Sequence, residues 1–351
     1  FGLAKHNGTL EKLAQAALQL VKNNSLRSPL LFFLIAAALS TAGAGNIGAV
    51  ALLAPVAMAV AWETGIGAFF MTIVLVCGAN AGTFSPFALT GIIANGLISK
   101  LGITMNPWTQ VYLPNFFAEA LLALLSYFIF YRRLKNSKKH MPIIKSQSIP
   151  SNHQWTHHQK LTLTAIILLI AGTVFFKIDI GFLALLLACS LMLLGTGDEK
   201  ETLKQIPWST ILMVCGINTL IVILENLGGI GLLTNMLAKV STPQNVTAVT
   251  ALTTGVISAF SSSSGVVMPT FIPLVPELIT KIGGGNATAI ISSINVGAHL
   301  VDISPLSSLG ALCIASAIHE DREKLFRNLL AFGLSMALGG ALICYLLFGR
   351  I

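Results

Sequence analysis

Charge is scarce in this sequence. Only 10% of its 351 residues are Asp, Glu, Lys or Arg, against about 25% in soluble globular domains. Apolar residues make up 54%, and they form runs longer than any soluble core helix, such as 161 to 194, where Lys177 and Asp179 are the only charges. The composition argues against a water-soluble protein and predicts an all-α polytopic membrane protein that is in contact with the lipid bilayer.

Acidic residues are fewer than basic ones, and the basic surplus is concentrated in one segment. Residues 132 to 160 contain no acid but seven basic residues: Arg132, Arg133, Lys135, Lys138, Lys139, Lys145 and Lys160. A nucleic-acid binder spreads its basic residues over a face, so we expect no nucleic-acid partner. Because cytoplasmic loops carry such an excess, we predict a flexible cytoplasmic linker over 132 to 160 in a protein of the bacterial inner (plasma) membrane.

Motifs of disulfide, metal and enzyme chemistry are missing. The five cysteines form no CxxC pair, and His153 and His157 in the linker have no matching metal ligands elsewhere. No HExxH or GxSxG motif is present. We therefore expect no catalytic residues, no cofactor and no bound metal other than a coupling cation, and a membrane-embedded enzyme is the less favoured class.

Several apolar segments are too short to span a bilayer. Fifteen helical residues, as in 29 to 43 or 47 to 61, reach about 22 Å, whereas the hydrocarbon core is about 30 Å thick. This pair and the segment 245 to 279 are predicted to be re-entrant hairpins. Short segments interrupted by Gly and Pro are typical of the broken helices of transporters.

An internal repeat is the most informative feature. The run from Gly78 to Pro86 reappears as Gly297 to Pro305, 219 positions later, with Gly, Ala, Ser and Pro identical and a following glycine also repeated. A weaker match, at 218 positions, pairs the Gly45-Asn46-Ile47 turn with the Ser263-Ser264-Gly265 turn. Two anchors at nearly one offset indicate duplication.

The duplication predicts the domain organisation. We expect a first repeat over 1 to 131, the linker over 132 to 160 and a second repeat over 161 to 351, inverted in the membrane if each has an odd number of crossings. The first residue corresponds to about Leu220, inside a hydrophobic helix. If the repeats are equal, about 60 or more residues of the first repeat precede this chain.

The interruptions predict a polar site. A helix broken inside the membrane exposes N–H groups that favour an anion and C=O groups that favour a cation. Three glycines, Gly45, Gly82 and Gly265, would let the backbone approach a ligand. Pro86 and Pro305 are predicted to begin the second half-helices, with Ser85 and Ser304 as N-caps or ligand contacts.

Single side chains admit two interpretations. Asn46 either contacts a ligand or bonds a neighbouring helix, and the Ser261 to Ser264 run is either a ligand site or a polar turn. Asp302 is predicted to be functional, because an ionisable group inside a membrane segment is costly. His299 either titrates or hydrogen-bonds. Glu119 has no counterpart in the other repeat and is either a structural contact between helices or a functional group.

These motifs resemble a known family. The runs from Gly45 to Pro55, from Cys77 to Pro86 and from Thr90 to Gly96 resemble the malonate/C4-dicarboxylate carriers of the MatC type, within the ion transporter superfamily that includes the divalent anion/sodium symporters. The resemblance implies two hairpin tips with Ser-Asn-Thr motifs that meet broken helices, and homodimers with elevator-like motion. Asn46 and Ser263 match the tips. At the remaining tip positions the family's residues are replaced, so the number of sodium sites stays open.

The resemblance and the residues together predict a secondary active transporter of small carboxylates, in particular dicarboxylates, driven by Na⁺ or H⁺. The predicted substrate-binding residues are Gly45, Asn46, Thr83, Ser85, Ser263, Ser264 and Ser304. The predicted ion-coupling residues are Asn80, Gly82, Gly265, His299 and Asp302. The alternative within transport is a cation/proton antiporter or an inorganic anion carrier of the same superfamily.

Overall fold

The structure, a computed structural model, describes residues 2–9, 12, 28–136, 155–176, 178, 180–204, 208–317 and 320–349. Within these residues the secondary structure is helical and no strand occurs, which confirms the all-α prediction. Five helical stretches are long and apolar enough to cross a membrane: Ser28–Trp62, Pro107–Phe130, Ser263–Ile282, Ala287–Ser316 and Arg322–Phe348. The prediction of a polytopic membrane protein is therefore confirmed.

The chain divides into two compact units. The first unit comprises residues 1–23 and 142–208. Its helices are α1 (Gly2–His6), α7 (His157–Phe176), α8 (Ile180–Leu193) and α9 (Glu199–Lys204). Leu3, Ala165 and Leu191 form its small core, and Asn7 donates a hydrogen bond to Thr162 over 2.7 Å.

The second unit, residues 24–141 and 209–351, contains both copies of the sequence repeat. In the first half its helices are α2 (Ser28–Leu39), α3 (Gly45–Thr64), α4 (Ala68–Thr83), α5 (Leu89–Lys100) and α6 (Leu113–Asn136). In the second half they are α10 (Trp208–Asn226, of which Trp208 belongs to the first unit), α11 (Gly229–Val240), α12 (Val246–Ser258), α13 (Met268–Phe271), α14 (Val275–Ile282), α15 (Ala287–Leu300), α16 (Ser308–Ser316) and α17 (Arg322–Phe348).

The two sequence offsets reappear in the helix boundaries. The helices α4 and α15 begin 219 positions apart, at Ala68 and Ala287, and α5 and α16 begin at the same offset. The helices α2 and α12 begin 218 positions apart. The structure therefore repeats the order of a helix pair joined by a tip and followed by a broken helix.

Each tip is a local departure from helical geometry. The first hairpin, residues 28 to 64, turns through a π-helical stretch, Ser40–Ala44, in which Gly43 has a φ of 111°. The second hairpin, residues 246 to 282, has its tip at Ser263–Val267, where Ser262 caps the backbone N–H of Gly265 over 3.0 Å. Left-handed glycines end both hairpins, Gly65 after α3 and Gly283 after α14.

Both broken helices have the same internal turn. We call residues 68 to 100 the first broken helix and residues 287 to 316 the second. Ala88 donates its N–H to the Ser85 carbonyl over 2.9 Å, and Ser307 donates to the Ser304 carbonyl over 3.0 Å. Pro86 and Pro305 occupy the second position of these turns, the position that proline favours. The prediction that they begin the second half-helices is wrong, because those helices begin three residues later.

Glycines allow each hairpin to lie against its own broken helix. A methyl group added at Gly78 would overlap the backbone of Phe33, and one added at Gly297 would overlap the backbone of Ala251. The two glycines are equivalent in the repeat, so duplication has preserved the close contact. Helix pairs in membranes commonly approach through such small residues.

The second half-helices cross over to the opposite repeat. The helix α16 packs on α3 of the first hairpin, and α5 packs on the second hairpin near Ile272–Leu274. A buried apolar cluster that includes Phe84, Leu97, Met268, Phe271 and Ile294 fills the contact around α5. Each broken helix therefore connects the two hairpins.

The predicted linker is shorter in the structure at both ends. The helix α6 continues to Asn136, and α7 begins at His157, so both edges of the segment 132 to 160 are helical. Residues 137 to 154, which carry three of its seven lysine and arginine residues and two of its four histidines, lie outside the described residues.

Candidate site between the hairpin tips

Asp302 links the second tip to the second broken helix. It lies in a short 3₁₀ turn, Val301–Ile303, directly after α15, and is 7% exposed. Its Oδ1 accepts a hydrogen bond from the Ser263 hydroxyl over 2.7 Å, and that hydroxyl also contacts the Ser258 hydroxyl over 2.7 Å. The carboxylate is therefore held by neutral donors.

Asn80 links Asp302 to the first tip. Its Nδ2 donates to the His299 carbonyl over 2.9 Å and approaches Asp302 Oδ2 at 3.5 Å, the upper limit for a hydrogen bond. Its Oδ1 accepts from Asn46 Nδ2 over 2.8 Å. Asn80 is fully buried near the end of α4. An amide suits this position because it donates to one repeat and accepts from the other.

These contacts form one continuous series, which we call the tip-to-tip chain: Asn46, Asn80, Asp302, Ser263 and Ser258. Four of the five were predicted from the sequence as site residues. The chain connects the first tip, both broken helices and the second tip. Any movement of one tip relative to the other must therefore break or rearrange it.

The first repeat is neutral where the second is acidic. Thr83 occupies the position equivalent to Asp302 and contacts the Thr90 hydroxyl over 3.1 Å. Ser85 donates to the Thr41 carbonyl over 2.7 Å, which holds the first tip against the break. An anion is therefore repelled less beside Thr83, at the first helix break, than beside Asp302.

The repeated serines stabilise the turns and do not cap the helices. Ser85 Oγ accepts from the N–H of Phe87 over 3.2 Å, and Ser304 Oγ accepts from the N–H of Leu306 over 3.3 Å. The N-cap residues of the second half-helices are Ala88 and Ser307. Of the two predicted roles for Ser85 and Ser304, the N-cap is therefore wrong, and the ligand contact stays a prediction.

His299 lies beside the chain and takes part through its backbone. Its Nδ1 contacts the Asn295 carbonyl over 2.9 Å, and its ring meets the edge of Phe84 at a centroid distance of 4.8 Å. Nε2 is buried and has no hydrogen-bond partner in the described part of the chain. The His299 side chain is thus fixed by local packing, while its carbonyl accepts from Asn80.

The predicted site residues differ in their exposure to solvent. Gly45, Asn46 and Ser264 at the tips are partly exposed, whereas Thr83, Ser85 and Ser304 are fully buried. Gly45 has a φ of 69° and open space beside it. Gly82 instead lies against the backbone of the first hairpin, where a methyl group would overlap Ala37 and Thr41. Gly265 is buried in the second tip.

The family of the chain follows from a comparison with family models. Residues 1–297 match the model of the CitMHS family, described as citrate transporter. This match covers most of the 351 residues. The chain belongs to the CitMHS citrate transporter family. A search of curated proteins finds no match. The predicted ion-transporter type of family is confirmed, and the CitMHS chain is an integral membrane protein of a transporter family.

Two residues that the sequence did not assign complete the surroundings of the tip-to-tip chain in this CitMHS protein. Asn115 on α6 donates to the Asn80 carbonyl over 2.7 Å. Glu119, one turn later, is 1% exposed and lies near Asn80 and Cys77. A polar pair four residues apart on one helix face was the available signal, but neither residue has a counterpart in the other repeat.

The CitMHS site contains two buried acids, Glu119 and Asp302, and the imidazole of His299. Lysine and arginine are absent from α4, α15 and the turns that follow them. The ion pairs seen within the described residues, Lys204–Glu201 and Lys281–Glu277, lie elsewhere. Within the same residues, no group of three or more His, Cys, Asp or Glu side chains is placed to hold a metal ion.

Proposed function

We propose that this chain is an ion-coupled secondary active transporter of small carboxylates, with its site between the two hairpin tips. Membership of a citrate transporter family supports carboxylate transport. The observation that carries the proposal is the tip-to-tip chain, because it brings neutral donors and a carboxylate together at two helix breaks. Broken helices at such positions bind substrates and coupling ions in transporters.

The substrate carboxylate is assigned to the neutral side of the site. Asn46, the backbone at Gly45 and the Ser264 hydroxyl offer donors without fixed charge, and Asn46 and Ser264 are partly exposed. The Ser263 hydroxyl donates to Asp302 and would bind substrate only after releasing that hydrogen bond. In this conformation Thr83 contacts the Thr90 hydroxyl, and Ser85 and Ser304 accept hydrogen bonds from backbone N–H groups of the breaks. They would reach substrate only after a rearrangement of the tips.

The coupling ion, Na⁺ or H⁺, is assigned to the acidic side. Asp302 with Asn80 and the carbonyls near Gly82, Gly265 and His299 supplies oxygen ligands or a proton acceptor. A cation there would also reduce the repulsion between Asp302 and an anionic substrate. We propose no other cofactor.

Two substrate classes are open within this function. The resemblance to MatC-type carriers supports C4-dicarboxylates and malonate, whereas the family description names citrate, a tricarboxylate. The same resemblance supports a homodimer and elevator-like alternating access. The basic residues of 132 to 160 support a cytoplasmic linker in a protein of the bacterial inner membrane.

Uptake into proteoliposomes tests the proposal. Radiolabelled citrate, succinate, malonate, a monocarboxylate and sulfate are offered separately, with Na⁺ and pH gradients imposed one at a time. We expect accumulation of unmodified citrate or dicarboxylate against its gradient. Sulfate uptake alone would favour the inorganic anion carrier, Na⁺/H⁺ exchange without anion uptake would favour the antiporter, and chemical conversion of the label would favour an enzyme.

A further inference from the structure

Glu119 is a buried acid that the tip-to-tip chain does not include. It lies on α6, in the apolar stretch Pro107–Phe130, and is 1% exposed. The Cys77 thiol and the Asn80 amide lie near it, but neither carboxylate oxygen has a partner in hydrogen-bond geometry among the residues that the structure describes. A charged carboxylate in such a place costs several kcal/mol unless a cation accompanies it.

The groups around Glu119 supply no such cation. The helix α6 packs against α4, α15 and the π-helical stretch Pro107–Tyr112. Their titratable groups are Cys77, His299 and Tyr112, and none of these elements contains lysine or arginine. Tyr112 is hydrogen-bonded to the Thr41 hydroxyl over 3.0 Å.

Glu119 faces the site through Asn115 and Asp302. Asn115, four residues earlier on the same helix, donates to the Asn80 carbonyl, while its own Oδ1 is buried and has no partner among the described residues. Asp302 lies next to the same Asn80 side chain, with its Oδ2 3.5 Å from Asn80 Nδ2. The α6 helix therefore places the Glu119 carboxylate and the Asn115 Oδ1 next to the tip-to-tip chain.

Two carboxylates in one water-poor site cannot both be charged without a counter-ion. Asp302 accepts hydrogen bonds from Ser263 and Asn80, which favour its ionised form. Glu119 accepts none, so a proton is held more favourably on Glu119. Glu119 would therefore carry the proton, whereas Asp302 would stay negatively charged.

We propose that Glu119 is the proton-binding residue of the transport cycle, and that Asp302 is its ionised partner. The inference rests on the proposed carrier function. In the step proposed, a proton from the aqueous phase on the side of higher acidity binds a Glu119 oxygen and forms an O–H bond. That bond breaks again on the opposite side, where the proton returns to water.

The test compares net uptake with exchange in sodium-free proteoliposomes that contain citrate or succinate, whichever the wild-type protein transports. Net uptake is driven by an inward proton gradient, and an entrapped pH dye records proton entry. Exchange is measured as counterflow at equal pH. We expect Glu119→Gln, which imitates the protonated acid, to keep counterflow within about twofold. Its gradient-driven accumulation and substrate-dependent acidification should fall at least about tenfold.

Two further variants serve as comparisons. Glu119→Asp keeps the acid and should retain part of the gradient-driven uptake with an altered pH profile. Glu323→Gln makes the same chemical change at an exposed position in the first turn of α17 and should behave as wild type.

Three results would overturn the inference. The first is wild-type accumulation by Glu119→Gln under the proton gradient. The second is sodium-driven accumulation: the wild-type protein accumulates substrate under a sodium gradient alone, and Glu119→Gln does not. That result would make Glu119 part of a sodium site. The third is equal loss of counterflow and accumulation in both Glu119→Gln and Glu119→Asp, which indicates a structural role. Absence of wild-type counterflow with every carboxylate would instead reject the proposed function itself.

Discussion

Asn46 donates a hydrogen bond to Asn80 over 2.8 Å, although the two residues belong to different elements of the first repeat and lie 34 positions apart. The contact holds the first hairpin tip against the end of a fully buried helix. Asn80 in turn reaches the second repeat at His299 and Asp302. The Asn80 side chain therefore contacts both repeats, and its contacts depend on how the two repeats pack together.

Asn46→Ala should weaken substrate binding. The substitution removes a neutral donor at the partly exposed tip and leaves Asn80 Oδ1 without its partner. The loss of a hydrogen bond to a charged group costs about 1.5 to 3 kcal/mol, which corresponds to about tenfold to a hundredfold in affinity. The substrate concentration that gives half-maximal uptake measures this loss of affinity. Wild-type affinity in a folded Asn46→Ala protein would show that Asn46 does not bind the substrate.

Asp302→Asn should separate coupling from binding. The amide keeps the size of the side chain but loses the charge, so the dependence of uptake on the Na⁺ or pH gradient should flatten while some counterflow remains. Uptake is measured at several gradients of each ion. An unchanged ion dependence would make Asp302 structural and leave the coupling to Glu119 or to the backbone carbonyls of the tips.

Gly78→Ala and Gly297→Ala should destabilise the protein to a similar extent. Each added methyl group overlaps the backbone of the adjacent hairpin, at Phe33 or Ala251, and overpacking costs about 1 to 3 kcal/mol. Gly96→Ala is the matched control, because that helical glycine has nothing within 4 Å and alanine should be neutral or stabilising there. Thermal unfolding in detergent compares the three, and equal melting temperatures would contradict the close packing.

Inverted repeats should place the two tips on opposite water-accessible sides. In a protein without its five native cysteines, Ala44→Cys and Ser262→Cys should react with an impermeant thiol reagent from opposite faces. Ser148→Cys in the linker should react only from the cytoplasmic side. Labelling of both tips from one face under all conditions would reject the inversion.

The repeat explains how much the sequence could predict. The matches at 218 and 219 positions located both tips and both helix breaks, because glycine, proline and serine at these turns are needed by the backbone itself. Asn46, Asn80, Ser263 and Asp302 were predicted for the same reason, since they lie in the repeated segments. Their hydrogen-bonding order could not be predicted, because it depends on how two distant halves pack.

The surroundings of the site were less predictable. Asn115 and Glu119 lie on a helix whose sequence is not repeated. Their only sequence signal was the energetic cost of placing polar side chains in an apolar segment. The positions of Pro86 and Pro305 were misjudged because proline suits both the first turn of a helix and the second position of a β-turn. Only the hydrogen bond from Ala88 to Ser85 decides between these alternatives.

Counterflow of labelled citrate or succinate by Asn80→Ala tests the central claim most directly, because Asn80 joins the two tips. Asn95→Ala is the matched control, since among the described residues the Asn95 side chain bonds only the Gly91 carbonyl of its own helix. We expect near wild-type exchange by Asn95→Ala and a loss of at least about tenfold by Asn80→Ala, with both proteins folded. Wild-type exchange by Asn80→Ala would contradict a transport site built on the tip-to-tip chain.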